Sequence, residues 1–478
     1  MNIDREAKTK RFPVFVNCVC HNMREFLDVD KIAAGCGGVL NGDGGLQCGG
    51  VCIDSRQVKA GDCFFAIKGE RFDGHEFVQK AFESGATCAV VDKSFDVSSI
   101  KGLLNGEKRD LTPLIVVEDT TLALGNLAAY YRSLLTAKVV AITGSVGKTT
   151  ARDMISGVLS SRYKCHSAKK SFNNHIGLPL TILEADINSE VLVVELGTNH
   201  PGEIEYLTKI ANPDIAVITK VAAAHIEYFG TLREIAKEKA SIALGLKKDG
   251  SLIVNGDSDE LVNYLESENI PYSSYSIEDK FELAGSLGKI FIDGMWVEVP
   301  LAGRGNLENA LAAWNVCREF GFTPEDFAAA IGTAIAPDMR LNVIEHEGVR
   351  IINDCYNANP QSMANALEVL AGFRGESKRL VAVCGDMLEL GDSSRRYHAE
   401  LGEAIAEKGI NVLVAVGKFA PDVAKAAEKC GNTETHCFEN TDALCQKIKA
   451  IIKPGDTVLL KASRSIALEK ALNVLIGN

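Results

Sequence analysis

The chain has 478 residues, 46% of them apolar, 24% charged and 6% aromatic. That is ordinary globular composition with length for about three domains of ~150 residues, and it excludes a disordered or fibrous chain. Basic side chains number 51 against 63 acidic ones, a net charge of −12, which argues against a general nucleic-acid or anionic-membrane binder and leaves a local anion site open.

The first residues, "MNIDREAKTKRFPVFVNCVC", faintly imitate a signal peptide. Their apolar part is short, contains Asn17 and lacks a small-residue cleavage site, so export is not expected. Residues 1–22 are expected to be an extension outside the fold, with Met23 as an alternative start. From 23 to 120 short strands and helices mix: "CIDSRQV", "DCFFAIKG", then "HEFVQKAFESGATCAVVD", in which Phe77, Ala81 and Phe82 share a helical face and Gly85 stops the helix before a strand. The stretch 121–136 reads as a helix entering a second block, 121–338, where "KVVAITG", "VLVVELG" and "DIAVITK" read as buried parallel strands alternating with helices over 149–161 and 231–246. A third block, 339–478, repeats the alternation with "RLVAVCGDM", "NVLVAVGK" and "DTVLLKASRS". The predicted class is α/β: a small mixed N-terminal domain, a central parallel-sheet domain and a C-terminal Rossmann-like domain. The 14 cysteines are scattered without a CxxC pair, which fits reduced thiols in a cytoplasmic protein better than disulfides or a zinc site. No run approaches the ~18 apolar residues of a membrane span.

The strongest chemical signal is "VVAITGSVGKTTARDMISGVL", a strand, a glycine-containing turn and a helix. Gly144, Ser145, Val146 and Gly147 would turn backbone N–H groups toward phosphate oxygens. Lys148 would neutralise β/γ charge, and a Thr149 or Thr150 hydroxyl would reach Mg²⁺. Ile142 occupies the first glycine position of the full phosphate-loop pattern. Two further strand ends point the same way: Glu195, where a carboxylate could face a metal ion, and His225 in the loop after the next strand. Singly each reads as an ordinary strand-end charge or loop histidine; beside a phosphate loop they gain meaning. Lys239 reads as part of a solvated helix face, and Asp54, Ser55 and Arg56 as an Asx-type turn.

The ordered segments "GSVGKTT", "SFNNHIGLPLT", "VVELGTNHPGEI", "HIEYFG", "EKASI", "NDCYNANPQSM" and "KASRS" resemble those of the Mur ligases. "YNANP" (356–360) and "DSRQVKAGDCFFAIKGERFDGH" (54–75) point to the branch that adds D-alanyl-D-alanine. The resemblance covers about 24 to 478. It implies an ATP-dependent, Mg²⁺-using amide synthesis joining D-alanyl-D-alanine to UDP-N-acetylmuramoyl-tripeptide through an acyl phosphate, in the cytoplasm, by a monomer. It further implies that Glu195 and His225, with Thr149, ligate metal and that Lys239 is carbamoylated. Asn306 would touch adenine, Arg340, Asp354 and Asn357 would face the nucleotide, and Asp54, Ser55 and Arg56 would lie near the UDP moiety. Three positions depart from the family: Gly305 for the usual histidine, His175 for glutamate and Ala462 for glycine. Lys461 and Arg464 receive no role. Another Mur-type ligase, or an ATP-binding switch without ligase activity, stays open as an alternative.

Overall fold

The computed structural model describes residues 27–69, 71–96, 113–168, 171–278, 280–284, 287–332 and 338–477; the extension expected over 1–22 and Met23 lie outside them. Two compact units form, one of residues up to Ala123 with Glu184–Ile187, the other of Leu124–Leu183 with Asn188–Asn478.

The first unit holds a five-stranded sheet of β1 (Val39–Asn41), β2 (Gly50–Cys52), β3 (Asp62–Phe65), β4 (Cys88–Asp92) and β5 (Leu114–Val117), in the order β1-β5-β4-β3-β2. Its pairs are parallel except β1 with β5. β3 is buried at every residue and β4 at all but its last, as expected of strands covered on both faces. The helix Val78–Glu83 buries Val78, Ala81 and Phe82 against this sheet, with Phe77 just before it and partly buried. Gly85 stands at φ 101°, where a Cβ would come within 3.1 Å of Ala60 Cα, so the helix ends there. Asp54 accepts both the N–H of Arg56 at 3.0 Å and its Nε at 2.9 Å, a local Asx turn.

In the second unit β6 (Lys138–Thr143), β7 (Cys165–Ser167), β8 (Val191–Glu195), β9 (Ile215–Ile218), β10 (Ser251–Asn255) and β11 (Ser273–Tyr275) form an all-parallel sheet ordered β11-β10-β9-β6-β8-β7. After β6 the chain runs to the β7 edge, returns through β8 and crosses to β9 on the other side of β6. The carboxyl ends of β6, β8 and β9 therefore border a switch-point crevice. The helix Lys148–Leu159, which leaves β6, buries Ala151, Met154, Ile155, Val158 and Leu159, a single apolar stripe packed into the core with Trp314 and Leu311 of the helix Arg304–Glu319. The helix expected over 231–246 is Leu232–Ala240 followed by a 3₁₀ turn, Ser241–Gly245.

An antiparallel sheet that sequence reading did not assign follows: β12 (Phe281–Ala284), β13 (Leu287–Ile292) and β14 (Met295–Val299). Its alternate residues Ile290, Ile292, Val297 and Val299 face the core. The last sheet comprises β15 (Asn342–His346), β16 (Val349–Asn353), β17 (Arg379–Gly385), β18 (Val412–Val416), β19 (Glu434–Phe438) and β20 (Asp456–Lys461), ordered β15-β16-β20-β17-β18-β19. All its pairs are parallel except the β15–β16 hairpin. Two mostly parallel six-stranded sheets thus stand in the second unit, the α/β class predicted from periodicity. Among the described residues no helix is long and apolar enough to cross a membrane.

Candidate active site

A cleft of ≈ 660 Å³ in the second unit is lined from the phosphate loop, the ends of β8 and β9, the start of the helix Arg304–Glu319 and the strand ends of the last sheet. The loop owes its shape to two glycines. At Gly144 (φ 149°) a Cβ would meet Thr219 Oγ1 at 2.0 Å, and at Gly147 (φ 91°) it would meet Asn309 Oδ1 at 2.3 Å, so both positions require hydrogen. Thr219 Oγ1 donates to Val146 O at 2.7 Å and Lys148 Nζ to Gly144 O at 2.7 Å, pinning the loop from both sides. The N–H groups of Ser145 and Val146, expected to face phosphate, donate instead to Lys220 O at 2.8 and 3.3 Å. The N–H groups that open the helix behind Gly147 have no carbonyl within the helix to bond, and so remain for an anion. Lys148 has its ammonium pushed below the usual lysine range by burial, helped by the Arg340 charge and opposed by Glu195.

Glu195 closes β8, 1% exposed, with both carboxylate oxygens engaged. Thr149 Oγ1 donates to Oε2 at 2.8 Å, with Arg152 Nη1 at 3.4 Å, and Asn173 Nδ2 donates to Oε1 at 2.8 Å. Lys239, read as a solvated charge on residue chemistry alone, is 3% exposed; here the structure corrects that reading and leaves the resemblance-based one standing. Burial pushes its ammonium far below the usual range, with the Lys148 charge adding and Glu238, Glu203 and Glu195 opposing. No described residue accepts a hydrogen bond from its Nζ. His225, at φ 57°, lines the cleft with its Nδ1 in contact with the Glu389 carboxylate, and the ring holds that carboxyl below its usual range.

Arg340, Asp354 and Asn357 line the cleft from the segment leading into β15 and from the loop after β16. Asp354 is buried, which raises its pKa against the opposing charge of Lys461. Asn306 is buried with Nδ2 donating to Ala302 O at 2.7 Å. Beside it, a Cβ on Gly305 would stand 2.8 Å from Asn365 Nδ2, so an asparagine from the helix Pro360–Gly372 takes the space that a histidine would need. Ala462 packs over Gly385, and His175 lies exposed at the rim. Asp54, Ser55 and Arg56 belong to the first unit. Sequence reading missed Asn173, Asn309 and Glu389. Asn173 sat within the quoted "SFNNHIG", but nothing in residue type or spacing told which amide would reach Glu195.

Family descriptions match in three segments: "Mur ligase family, catalytic domain" over residues 48–132, "Mur ligase middle domain" over 142–317 and "Mur ligase, glutamate ligase domain" over 339–464. A UDP-N-acetylmuramoyl-tripeptide--D-alanyl-D-alanine ligase of Bacillus subtilis (strain 168) is 37% identical over 443 residues, 89% of this chain and 93% of that protein. The chain belongs to the Mur ligase family. The Escherichia coli (strain K12) ligase of the same name is 34% identical to this Mur ligase, covering 92% of it and 97% of the relative. Among solved structures, MurF from Acinetobacter baumannii superposes with a TM-score of 0.85 at 30% identity, covering 94% of this chain and 99% of its own. MurF ligase from Thermotoga maritima in complex with ADP gives a TM-score of 0.75 at 28% identity, covering 89% and 97%. In this Mur ligase the middle-domain match holds the phosphate loop, Glu195, His225, Lys239 and Asn306, while the C-terminal match holds Arg340, Asp354 and Asn357.

Proposed function

We propose that this Mur ligase joins D-alanyl-D-alanine to UDP-N-acetylmuramoyl-tripeptide, with ATP converted to ADP and phosphate, giving the pentapeptide precursor of peptidoglycan. The observation that carries this reading is the length of the likeness. Ligases of that name match the chain from its first unit to its last sheet, beyond the phosphate-loop domain common to the family.

The chemistry explains the residue types. The tripeptide carboxylate must approach the γ-phosphate, anion against anion, before an acyl phosphate can form. Lys148 and Arg340 supply positive charge at that meeting point, and the helix start behind Gly147 adds oriented N–H dipoles. The amine of the dipeptide then attacks the acyl carbon, and phosphate leaves. Asn306 would hold the base, Asp354 and Asn357 the nucleotide side, and Asp54, Ser55 and Arg56 the UDP end. We divide the work among residues 23–120 for the UDP substrate, 121–338 for ATP and 339–478 for closing the cleft.

The donor set fits Mg²⁺. A carboxylate and a hydroxyl, Glu195 and Thr149, stand together, and their hard oxygen donors would hold Mg²⁺ beside the bound phosphates. His225 and Lys239 would serve a second ion, the lysine as its carbamate. A neutral amine is what adds to CO₂, and burial keeps Lys239 toward that form. Bound Mg²⁺ would neutralise the phosphate charge that repels the attacking carboxylate. ATP as co-substrate and the free cysteines of the described residues support action in the cytoplasm.

The test is ADP and phosphate release with Mg-ATP and UDP-N-acetylmuramoyl-tripeptide, with and without D-alanyl-D-alanine, and mass spectrometry of the product. Release that needs both substrates, with a gain of one dipeptide, is expected. Release indifferent to the dipeptide would point to another amino-acid ligase or a nucleotide switch.

A further inference from the structure

Lys461 takes no part in the chemistry above, yet its surroundings are specific. It ends β20 at 2% exposure, and its Nζ donates to Asp354 Oδ2 at 2.5 Å and to Asn357 O at 2.9 Å. The loop 354–357 is therefore folded around one ammonium. The same loop reaches back to the segment that precedes β15. Asp354 Oδ1 accepts the N–H of Leu341 at 3.2 Å, and Tyr356 N–H donates to Met339 O at 3.2 Å. Those two bonds bracket Arg340.

Met339 and Leu341 both stand at φ 57°, where a side chain crowds its own backbone. Non-glycine residues persist there when the surroundings over-determine them. Here the surroundings are the two bonds from the lysine-centred loop, and Arg464 Nη1 adds a contact to Met339 Sδ at 3.6 Å. Between the two strained residues, the Arg340 guanidinium lies 4.1 Å over the Tyr356 ring, and its backbone N–H donates to Asn342 Oδ1 at 3.0 Å. The arginine lines the cleft together with Lys148.

We propose that Lys461 is a positioning residue for the nucleotide: it folds the 354–357 loop, whose bonds to Met339 and Leu341 aim Arg340 at the phosphates held behind Gly147. The inference rests on the nucleotide-facing role proposed above for Arg340. A buried ammonium bonds a carboxylate and a carbonyl for stability alone; what points beyond stability is that the loop's remaining bonds fall on the two neighbours of Arg340.

The experiment is a double-mutant cycle on the full chain, with ADP binding by calorimetry and kcat/KM for ATP as readouts. Lys461→Met is expected to weaken ADP binding and lower kcat/KM for ATP about 10-fold, within the range for residues sharing one network, and to leave KM for the UDP-linked substrate unchanged. In the Arg340→Ala background, Lys461→Met should cost much less than it does in the parent chain, because the lysine acts mainly through the arginine; Asp354 and Asn357, which it also bonds, account for the remainder. Losses that multiply, or wild-type ADP binding by Lys461→Met, would overturn the proposal. Should the methionine variant not fold, Lys461→Gln retains a donor for one of the two acceptors and enters the same cycle with the same criteria. Failure of the unmutated chain to bind ADP would overturn the nucleotide reading itself and this inference with it; ADP binding by that chain together with a failed cycle would overturn this inference alone.

Discussion

Thr149 Oγ1 donates to Glu195 Oε2 at 2.8 Å, tying the first turn of the phosphate-loop helix to the end of β8. The bond joins neighbouring strands of the sheet, since β6 leads into that helix and β6 pairs with β8. With Asn173 on the other oxygen, the carboxylate is oriented before any nucleotide arrives. Groups held in place beforehand need no reorganisation when charge develops between phosphate and carboxylate.

Substituting Glu195 by Gln preserves the size of the side chain and removes its charge. Mn²⁺ binding, followed by electron paramagnetic resonance in place of Mg²⁺, is expected to fall sharply while the UDP-linked substrate still binds. Unaltered Mn²⁺ binding would sink the metal role.

Lys148→Ala removes the cation nearest the loop carbonyl of Gly144. ADP release should drop by about 10²–10³-fold or more, the usual consequence of removing one stabilising donor from a reacting site. Stopped-time chromatography of the nucleotides checks it, and turnover within a factor of two of the parent chain would refute the assignment.

Gly147→Ala places a methyl group 2.3 Å from Asn309 Oδ1 at a positive φ. The backbone strain costs about 1–3 kcal/mol and should weaken nucleotide binding. Adding Asn309→Ala relieves the clash and leaves the strain, so thermal melting should recover in part.

Lys239 carries a pH signature in CO₂-free buffer. Its folded-state pKa lies below the 10.5 of an ordinary lysine. Below the folded value both states hold the proton; between the two values only the unfolded chain does. Stability should therefore rise with pH across that window by about 1.4 kcal/mol per pH unit from this group, and the gain ends above the unfolded pKa. Lys239→Met should flatten that slope in urea melts at a series of pH values. The same variant should lack ligase activity, with short carboxylic acids tested for partial rescue; full activity would return the residue to a structural role.

Gly305→His would set an imidazole against Asn365 Nδ2. Alone it is expected to weaken ADP binding, and with Asn365→Ala to restore or improve it. Equal ADP affinities across the three chains would show that the position does not touch the nucleotide.

The α/β class, the alternating strands and the phosphate loop were legible because each depends on local pattern: continuous apolar runs, a helical period, glycines before a lysine. The turn at Asp54 was legible for the same reason. The antiparallel strands from Phe281 to Val299 were not, because their short alternation is interrupted by glycines and reads as loop until packed on Leu307 and its neighbours. Lys239 shows the limit most clearly. Its sequence setting, "REIAKEKASIALGL", is that of a solvated helix, and the resemblance alone marked it out. Only the packed fold buries it at 3% exposure, within the field of Lys148 and three carboxylates. Asn173 on Glu195, Asn309 under Gly147, Asn365 beside Gly305 and Lys461 around the 354–357 loop are likewise meetings of residues far apart in the chain. The sequence by itself determined the buried strands around the phosphate loop and the turns at Gly144–Gly147 and Asp54, since those follow from backbone sterics and local hydrophobic period. The tertiary structure decided which polar groups are buried together and therefore which charges shift, because burial and Coulomb interaction depend on distance in space.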